Sequence, residues 1–454
     1  MWHLITSKMI NTTRMRALMI ANFKRYFFLL LPCFLFLTGC QPKVYLMPSP
    51  FGIEPESELF GHTTDLQDEN FLYTLYATNR KPLELDDSSE RYSIFPSDTI
   101  RLGWTVHRVG DEGMSWDEFF EESIRTDRSK DLLLHSEYTR EIVSHDISHD
   151  VEEISPQEAG YFYELNTILD KTLDKDILIY VHGANCNFYR ATAQGAQFFH
   201  FTGHNTVVLT FSWPSAENLF KYKTDVLHAK KTIPAFAEMI ELLATHSKAR
   251  SINILAYSAG AQVAAPGLAY LRDLYPDESS ESLRKRLRIG EVYFASPDTA
   301  FKPFVERYLK FKDIVKRTTV NFNRNDAVLR LSAMQNGVSR LGRPDGTELN
   351  ENERQLFLDA MNTPYLNVLD VGDSAALNLG RAHDSWYNNS WVSMDVLMLL
   401  LFNLDPLERG LEEYWNKEVA KTYRFPEDYE TRLRKISHEN RAMLKEKVKI
   451  KHDQ

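Results

Sequence analysis

Ser258 stands at the centre of Ala256-Tyr257-Ser258-Ala259-Gly260, directly after the apolar run Ile252 to Leu255 and before a helix-forming stretch from Ala261 onward. Strand, sharp turn and helix in that order present a serine hydroxyl at the carboxyl end of a sheet. Small neighbours are required because the backbone bends too tightly for bulk. The helix behind the serine aims free N–H groups at negative charge developing on a bound carbonyl. The pattern departs from G-x-S-x-G by one methyl group, at Ala256. Such a serine attacks carbonyl carbon once a base takes its proton and an acid orients the base. Sheet enzymes supply both from loops after later strands, in the order Ser, Asp, His. Asp326 follows the apolar run 318–323, and His383 follows the run 366–371, in Ala382-His383-Asp384-Ser385-Trp386. Asp298 is a rival acid one strand earlier, in Ala295-Ser296-Pro297-Asp298. Its other reading is a turn or N-cap residue after proline.

Negative charge on the attacked carbonyl needs backbone donors. The run 177–181 leads into His182-Gly183-Ala184-Asn185, where the Ala184 N–H can turn toward a substrate. The Ala259 N–H, next to the serine, is the second expected donor. His182 is read as structural and Cys186 as a packing residue, since no thiolate-stabilising pattern surrounds it. His145 and His149 are four apart, which on a helix suggests a metal pair. The local alternation fits a strand or loop better, so both are expected on solvated polar surface. No metal site or organic cofactor is predicted.

These residues need a scaffold of alternating elements. Strand-like runs are predicted at 71–78, 99–107, 177–181, 206–212, 252–257, 291–295, 318–323 and 366–371, with helices at 115–126, 225–246 and 391–403. Val-, Ile- and Leu-rich strands alternating with helices imply an α/β fold, a mostly parallel sheet covered on both faces. Residues 331–362 interrupt the alternation and are read as a candidate cap near the site. From 405 to 454 the chain is highly charged and is read as a surface helical tail.

The first 39 residues read as a signal. Lys24 and Arg25 precede an apolar stretch, Tyr26 to Leu37, too short to span a bilayer comfortably. Leu37-Thr38-Gly39-Cys40 resembles the bacterial lipobox, in which the cysteine is lipidated. Gln41 follows instead of aspartate, which implies the outer membrane, facing the periplasm. Residues 40–66, with Pro42, Pro48, Pro50 and Pro55, are expected to form a tether to a body at 67–404. Without residues 1–39 the chain has 48 basic and 63 acidic residues, a net charge of −15. That charge, with no basic stripe, excludes nucleic-acid binding. Cys186 is then the one cysteine besides Cys40, so no intrachain disulfide is expected.

Tyr180-Val181-His182-Gly183, Thr210-Phe211-Ser212-Trp213-Pro214-Ser215, the serine pentapeptide, Ser296-Pro297-Asp298, Asn325-Asp326-Ala327 and His383 together resemble a largely uncharacterised family of bacterial alpha/beta hydrolases. Some members are lipoproteins. Leu46-Met47-Pro48-Ser49-Pro50 and Ala77-Thr78-Asn79-Arg80 carry the same resemblance, which covers roughly residues 45–400. It implies the alpha/beta-hydrolase fold with an N-terminal extension, but hardly a substrate. The expected function is ester hydrolysis of a small-molecule or lipid-like acyl substrate, with thioester and amide cleavage open. The alternative is an envelope lipoprotein that uses a hydrolase scaffold only to bind a partner.

Overall fold

The computed structural model describes residues 43–53, 60, 70–83, 91–125, 128, 130–218, 221–345, 347, 350–363, 365–372, 382–416 and 419–436. The signal segment and Cys40 lie outside the described residues.

The elements run β1 (Phe71–Pro82), β2 (Tyr92–Val109), α1 (Trp116–Ile124), β3 (Leu134–Asp146), α2 (Pro156–Lys171), β4 (Asp176–Val181), α3 (Phe188–Phe201), β5 (Val207–Phe211), α4 (Tyr222–His246) and β6 (Ser251–Tyr257). Then follow α5 (Ala261–Leu274), α6 (Ser280–Leu287), β7 (Ile289–Ala295), α7 (Phe301–Phe311), β8 (Val315–Phe322), α8 (Ala327–Asn336), α9 (Glu351–Met361), β9 (Leu366–Asp370), α10 (Ser385–Asn388), α11 (Ser390–Phe402), β10 (Glu412–Asn416) and β11 (Val419–Arg424).

All eight predicted strand runs fall on strands of one eleven-stranded sheet, in the order β10-β11-β9-β8-β7-β6-β4-β5-β1-β2-β3. Its central strands pair in parallel, and among the described residues the antiparallel strand pairs lie at the two ends, β1–β2–β3 and β10–β11. The centre of β4, Ile177 to Val181, reads as an unbroken apolar run because both its faces are covered. Ile177, Ile179 and Val181 of β4 join one core, with Phe236 and Ile240 of α4. Leu178 and Tyr180 face the other core, with Phe198 of α3 and Val396 of α11. The chain passes from β4 outward to β5, then returns across β4 to β6. At such a reversal open α/β sheets bind ligands outside the carboxyl ends of the flanking strands, here β4 and β6. Among the described residues, no helix is long and apolar enough to cross a membrane.

Several expectations are corrected. The described part of the segment read as a tether packs on the body. Tyr45 bridges Leu133, the Leu46 N–H donates to Leu132 O at 2.7 Å, and Val44, Leu46, Met47 and Ile53 are buried. In the segment read as a helical tail, the described residues first form the β10–β11 hairpin, whose β11 pairs in parallel with β9, and only then turn helical, over 429–436. The described part of 331–362, read as a candidate cap, completes α8 and supplies α9 of the β8-to-β9 crossover, where α9 lies against α7, β9 and β11. His145 is not on the surface. It is 2 % exposed, with Nδ1 at 2.7 Å from Glu158 and Nε2 at 3.2 Å from Glu238. Hydrogen bonding to Glu238, then to Glu158, raises its pKa and favours the imidazolium. His149 is exposed, as expected.

Candidate active site

β4 and β6 are paired in register, with Val181 opposite Ala256. The two following loops therefore leave the sheet side by side. Ser258 has φ +50°, and the turn Ser258–Gly260 feeds directly into α5. A positive φ at a non-glycine residue is strained, and such strain is tolerated where the surroundings fix it. Two observations show how. The Asp298 N–H donates to Ser258 O at 2.9 Å. A Cβ on Gly260 would lie 2.5 Å from Val181 O, so only glycine lets the turn approach β4 this closely. Gly183 is similarly constrained, since a Cβ there would lie 3.1 Å from the Ser258 Cβ. The backbone carrying Ala184 thus passes directly beside Ser258.

His383 Nε2 lies 2.9 Å from Ser258 Oγ, and His383 Nδ1 lies 2.8 Å from Asp326 Oδ2. A carboxylate only accepts, so Nδ1 carries the ring proton and Nε2 offers its lone pair to the serine hydroxyl. Asp326 is fully buried, and His383 retains 15 % side-chain exposure. The second oxygen of Asp326 accepts from the Leu329 N–H at 2.9 Å and caps α8. One carboxylate therefore orients the imidazole and anchors a helix. The His383 ring lies 5.4 Å from the Tyr257 ring. Trp386, three residues on, is fully buried and stacks on Phe198, which secures this end of the histidine loop.

Asp298 lies elsewhere. Its Oδ1 accepts from Ser332 Oγ at 2.7 Å and Arg340 Nε at 2.5 Å, and its Oδ2 accepts from Tyr222 at 2.7 Å. Gln262 and Arg340 both donate to its carbonyl. It is neither paired with His383 nor a helix cap. It is the centre of a buried ion-pair cluster behind the serine turn.

The loop after β4 is held by residues that sequence reasoning gave no role. Arg80, fully buried on β1, donates to Cys186 O at 2.8 Å and to Ser212 Oγ at 3.2 Å. Burial lowers its pKa to about 10, which leaves it cationic at neutral pH. Ser215 Oγ donates to Cys186 O at 2.7 Å and accepts from the Cys186 N–H at 3.0 Å. Asp225 accepts from the backbone N–H groups of Asn185 and Ala216, joining this loop to the one after β5. Burial raises the Asp225 pKa to about 6. Arg80 and Ser215 lie in segments whose sequence already drew attention. Asp225 gives no signal beyond an acid in a helix's first turn.

His182 is buried, stacked on Trp213 with ring centroids 5.2 Å apart, and within 2.7 Å of Gly183 O. Burial, then the nearby Arg80, pushes its pKa down to about 3, so it is a neutral brace for the loop. Cys186 is buried, and burial pushes its thiol up to about 11, away from the thiolate.

A family model described as "Alpha/beta hydrolase of unknown function (DUF900)" matches residues 157–388, a span that holds Ser258, Asp326 and His383. No curated protein matches the chain.

Proposed function

The chain belongs to this family of alpha/beta hydrolases of unknown function, and we propose that it is a serine hydrolase acting on carboxylic esters. In this reading Ser258 Oγ attacks the ester carbonyl while His383 Nε2 accepts its proton. Asp326 holds the imidazole tautomer and balances the imidazolium. The N–H groups of Ala184 and Ala259 receive the oxyanion. Collapse of the tetrahedral intermediate expels the alcohol, which takes the proton from His383. Water, deprotonated by the same imidazole, then releases the acid and restores the serine. Lipid on Cys40 tethers the enzyme to the bacterial cell envelope, and the substrate is a small-molecule or lipid-like acyl ester.

The observation that carries the reading is the continuous line Ser258 Oγ, His383, Asp326, with contacts of 2.9 and 2.8 Å. It starts at a serine of φ +50°, on a strand-to-helix turn. The test is labelling with a fluorophosphonate probe. The wild-type protein is expected to form one adduct, and Ser258→Ala to lose both the adduct and ester turnover while keeping its thermal unfolding midpoint. A folded wild-type protein that takes up no probe and cleaves no ester would instead support a partner-binding lipoprotein.

A further inference from the structure

A cavity of about 250 Å³ lies apart from Ser258, between the β8–β9 part of the sheet and helices α7 and α9. Phe301, Phe304, Phe322 and Phe357 form its walls, with Val320 and Val368 on the strands. Ser258, Asp326, His383, Ala184 and Ala259 are not among its lining residues. Protein interiors are close-packed, and voids larger than a water molecule are few. An apolar chamber of this size gives water few hydrogen-bonding partners, whereas a hydrocarbon chain fits its chemistry.

The rest of the lining is different. Arg324, Arg343 and Arg354 contribute to it, with one acid, Asp345. Asp345 is already engaged, accepting from the Thr347 N–H at 3.0 Å and Thr347 Oγ1 at 2.7 Å. Arg343 Nε donates to Arg324 O at 3.0 Å, which ties the two arginine-bearing loops together. Arg324 is exposed and Arg343 half-buried, so these cations edge a largely buried apolar chamber. Guanidinium groups match planar carboxylates with paired N–H donors.

We propose that this cavity is a binding site for a medium-chain carboxylate, its chain among the phenylalanines and its carboxylate on the arginines. Arg324 stands two residues before Asp326. Occupancy would therefore brace the loop that carries the acid of the site. The proposal goes beyond the hydrolase reading and does not need it, because binding is measured without turnover.

The test uses full-length Ser258→Ala protein, which isolates binding from any acyl transfer, and decanoate labelled with 13C at its carboxyl carbon. Saturable binding at one site is expected by NMR titration, with acetate and decanol at least tenfold weaker. Arg343→Gln should weaken decanoate at least tenfold. Val368→Phe, which fills the chamber from β9, should abolish saturable binding without lowering the thermal unfolding midpoint. Should Val368→Phe fail to fold, Val320→Leu is expected to weaken binding in the same direction. Equal affinity for decanol and decanoate, or unchanged affinity in folded Arg343→Gln and chamber variants, would overturn the proposal. Loss of ester hydrolysis in the wild type would leave it standing.

Discussion

Asp326 and Asp298 have the same side chain and both follow a strand of the same sheet, yet they sit in opposite circumstances. Asp326 meets His383 Nδ1 at 2.8 Å and the Leu329 N–H at 2.9 Å, so one oxygen serves each partner. Asparagine caps helices about as well as aspartate. Asp326→Asn should therefore keep α8 and the melting temperature while turnover falls by about 10⁴-fold, the cost of losing the productive tautomer. Asp298 faces Arg340, and both side chains are 5 % exposed. Removing one partner of a buried pair leaves an uncompensated charge, at a cost of about 3–5 kcal/mol. Asp298→Asn should melt far earlier but retain most activity per folded molecule. Both variants, assayed on one ester and melted in one buffer, separate the roles; an Asp298→Asn protein that is stable and inactive would reverse them. Both acids were visible as strand-end residues in the sequence. What could not be read was which reaches His383, because that depends on where residues 57 positions apart meet. His145 misled for the same reason: Glu158 and Glu238, which make its burial tolerable, come from two different helices.

The loop after β4 carries one expected oxyanion donor, and its position is set by elements distant in sequence: Arg80 from β1, Ser215 after β5 and Asp225 in α4. Asp225 should matter in two measurable ways. Asp225→Asn exchanges an acceptor oxygen for a donor, so one of the Asn185 and Ala216 N–H groups loses its partner. Turnover should fall roughly 10- to 100-fold, as expected when a catalytic donor shifts by about an ångström, with KM nearly unchanged. The second effect is on stability. The folded pKa of Asp225 is about 6, above the roughly 3.9 of an unfolded aspartate. Between those values the native state holds a proton that the unfolded state has lost. The stability this group contributes is therefore full below about pH 4, declines as pH rises to about 6, and is level above. The stability advantage of wild type over Asp225→Asn should shrink across that window. Urea unfolding of both proteins at pH 4.5 and pH 7 measures it, and a constant difference would contradict the assignment. At this scale β4 was legible because burial on both faces leaves a continuous apolar run, Ile177 to Val181. The β10–β11 hairpin was not. Its edge strand β10 carries Glu412 and Glu413, charges that discourage pairing with other chains, and β11 carries their partners Arg424 and Lys421; in one dimension all four read as a charged tail.

Across the whole molecule, the sequence divides two jobs at the N-terminus that a single tether reading merged. Cys40 is the proposed attachment point. Residues 44–53 belong instead to the folded body: Leu134 donates its N–H to Val44 O, the Leu46 N–H donates to Leu132 O, and the Phe51 N–H donates to Ser390 O. The prolines made residues 40–66 look like a tether, but the described part, 43–53, lines a core: Val44 and Leu46 turn inward on either side of exposed Tyr45. Val44, Leu46, Met47 and Ile53 are each under 9 % exposed. Burial of such a side chain stabilises by about 1.5–3 kcal/mol. Attachment and folding should therefore separate experimentally. Cys40→Ala should lose incorporation of a palmitate analogue and release the protein from membranes, with its melting temperature unchanged. A chain beginning at residue 41 should be equally stable. A chain beginning at residue 54 loses four buried hydrophobic side chains and the pairing beside β3, and its melting temperature should fall by several degrees, at roughly 1 °C per kcal/mol for a body of this length. Palmitate label retained in Cys40→Ala would refute the attachment point. Equal melting of the two truncated chains would show that residues 44–53 add nothing to the fold.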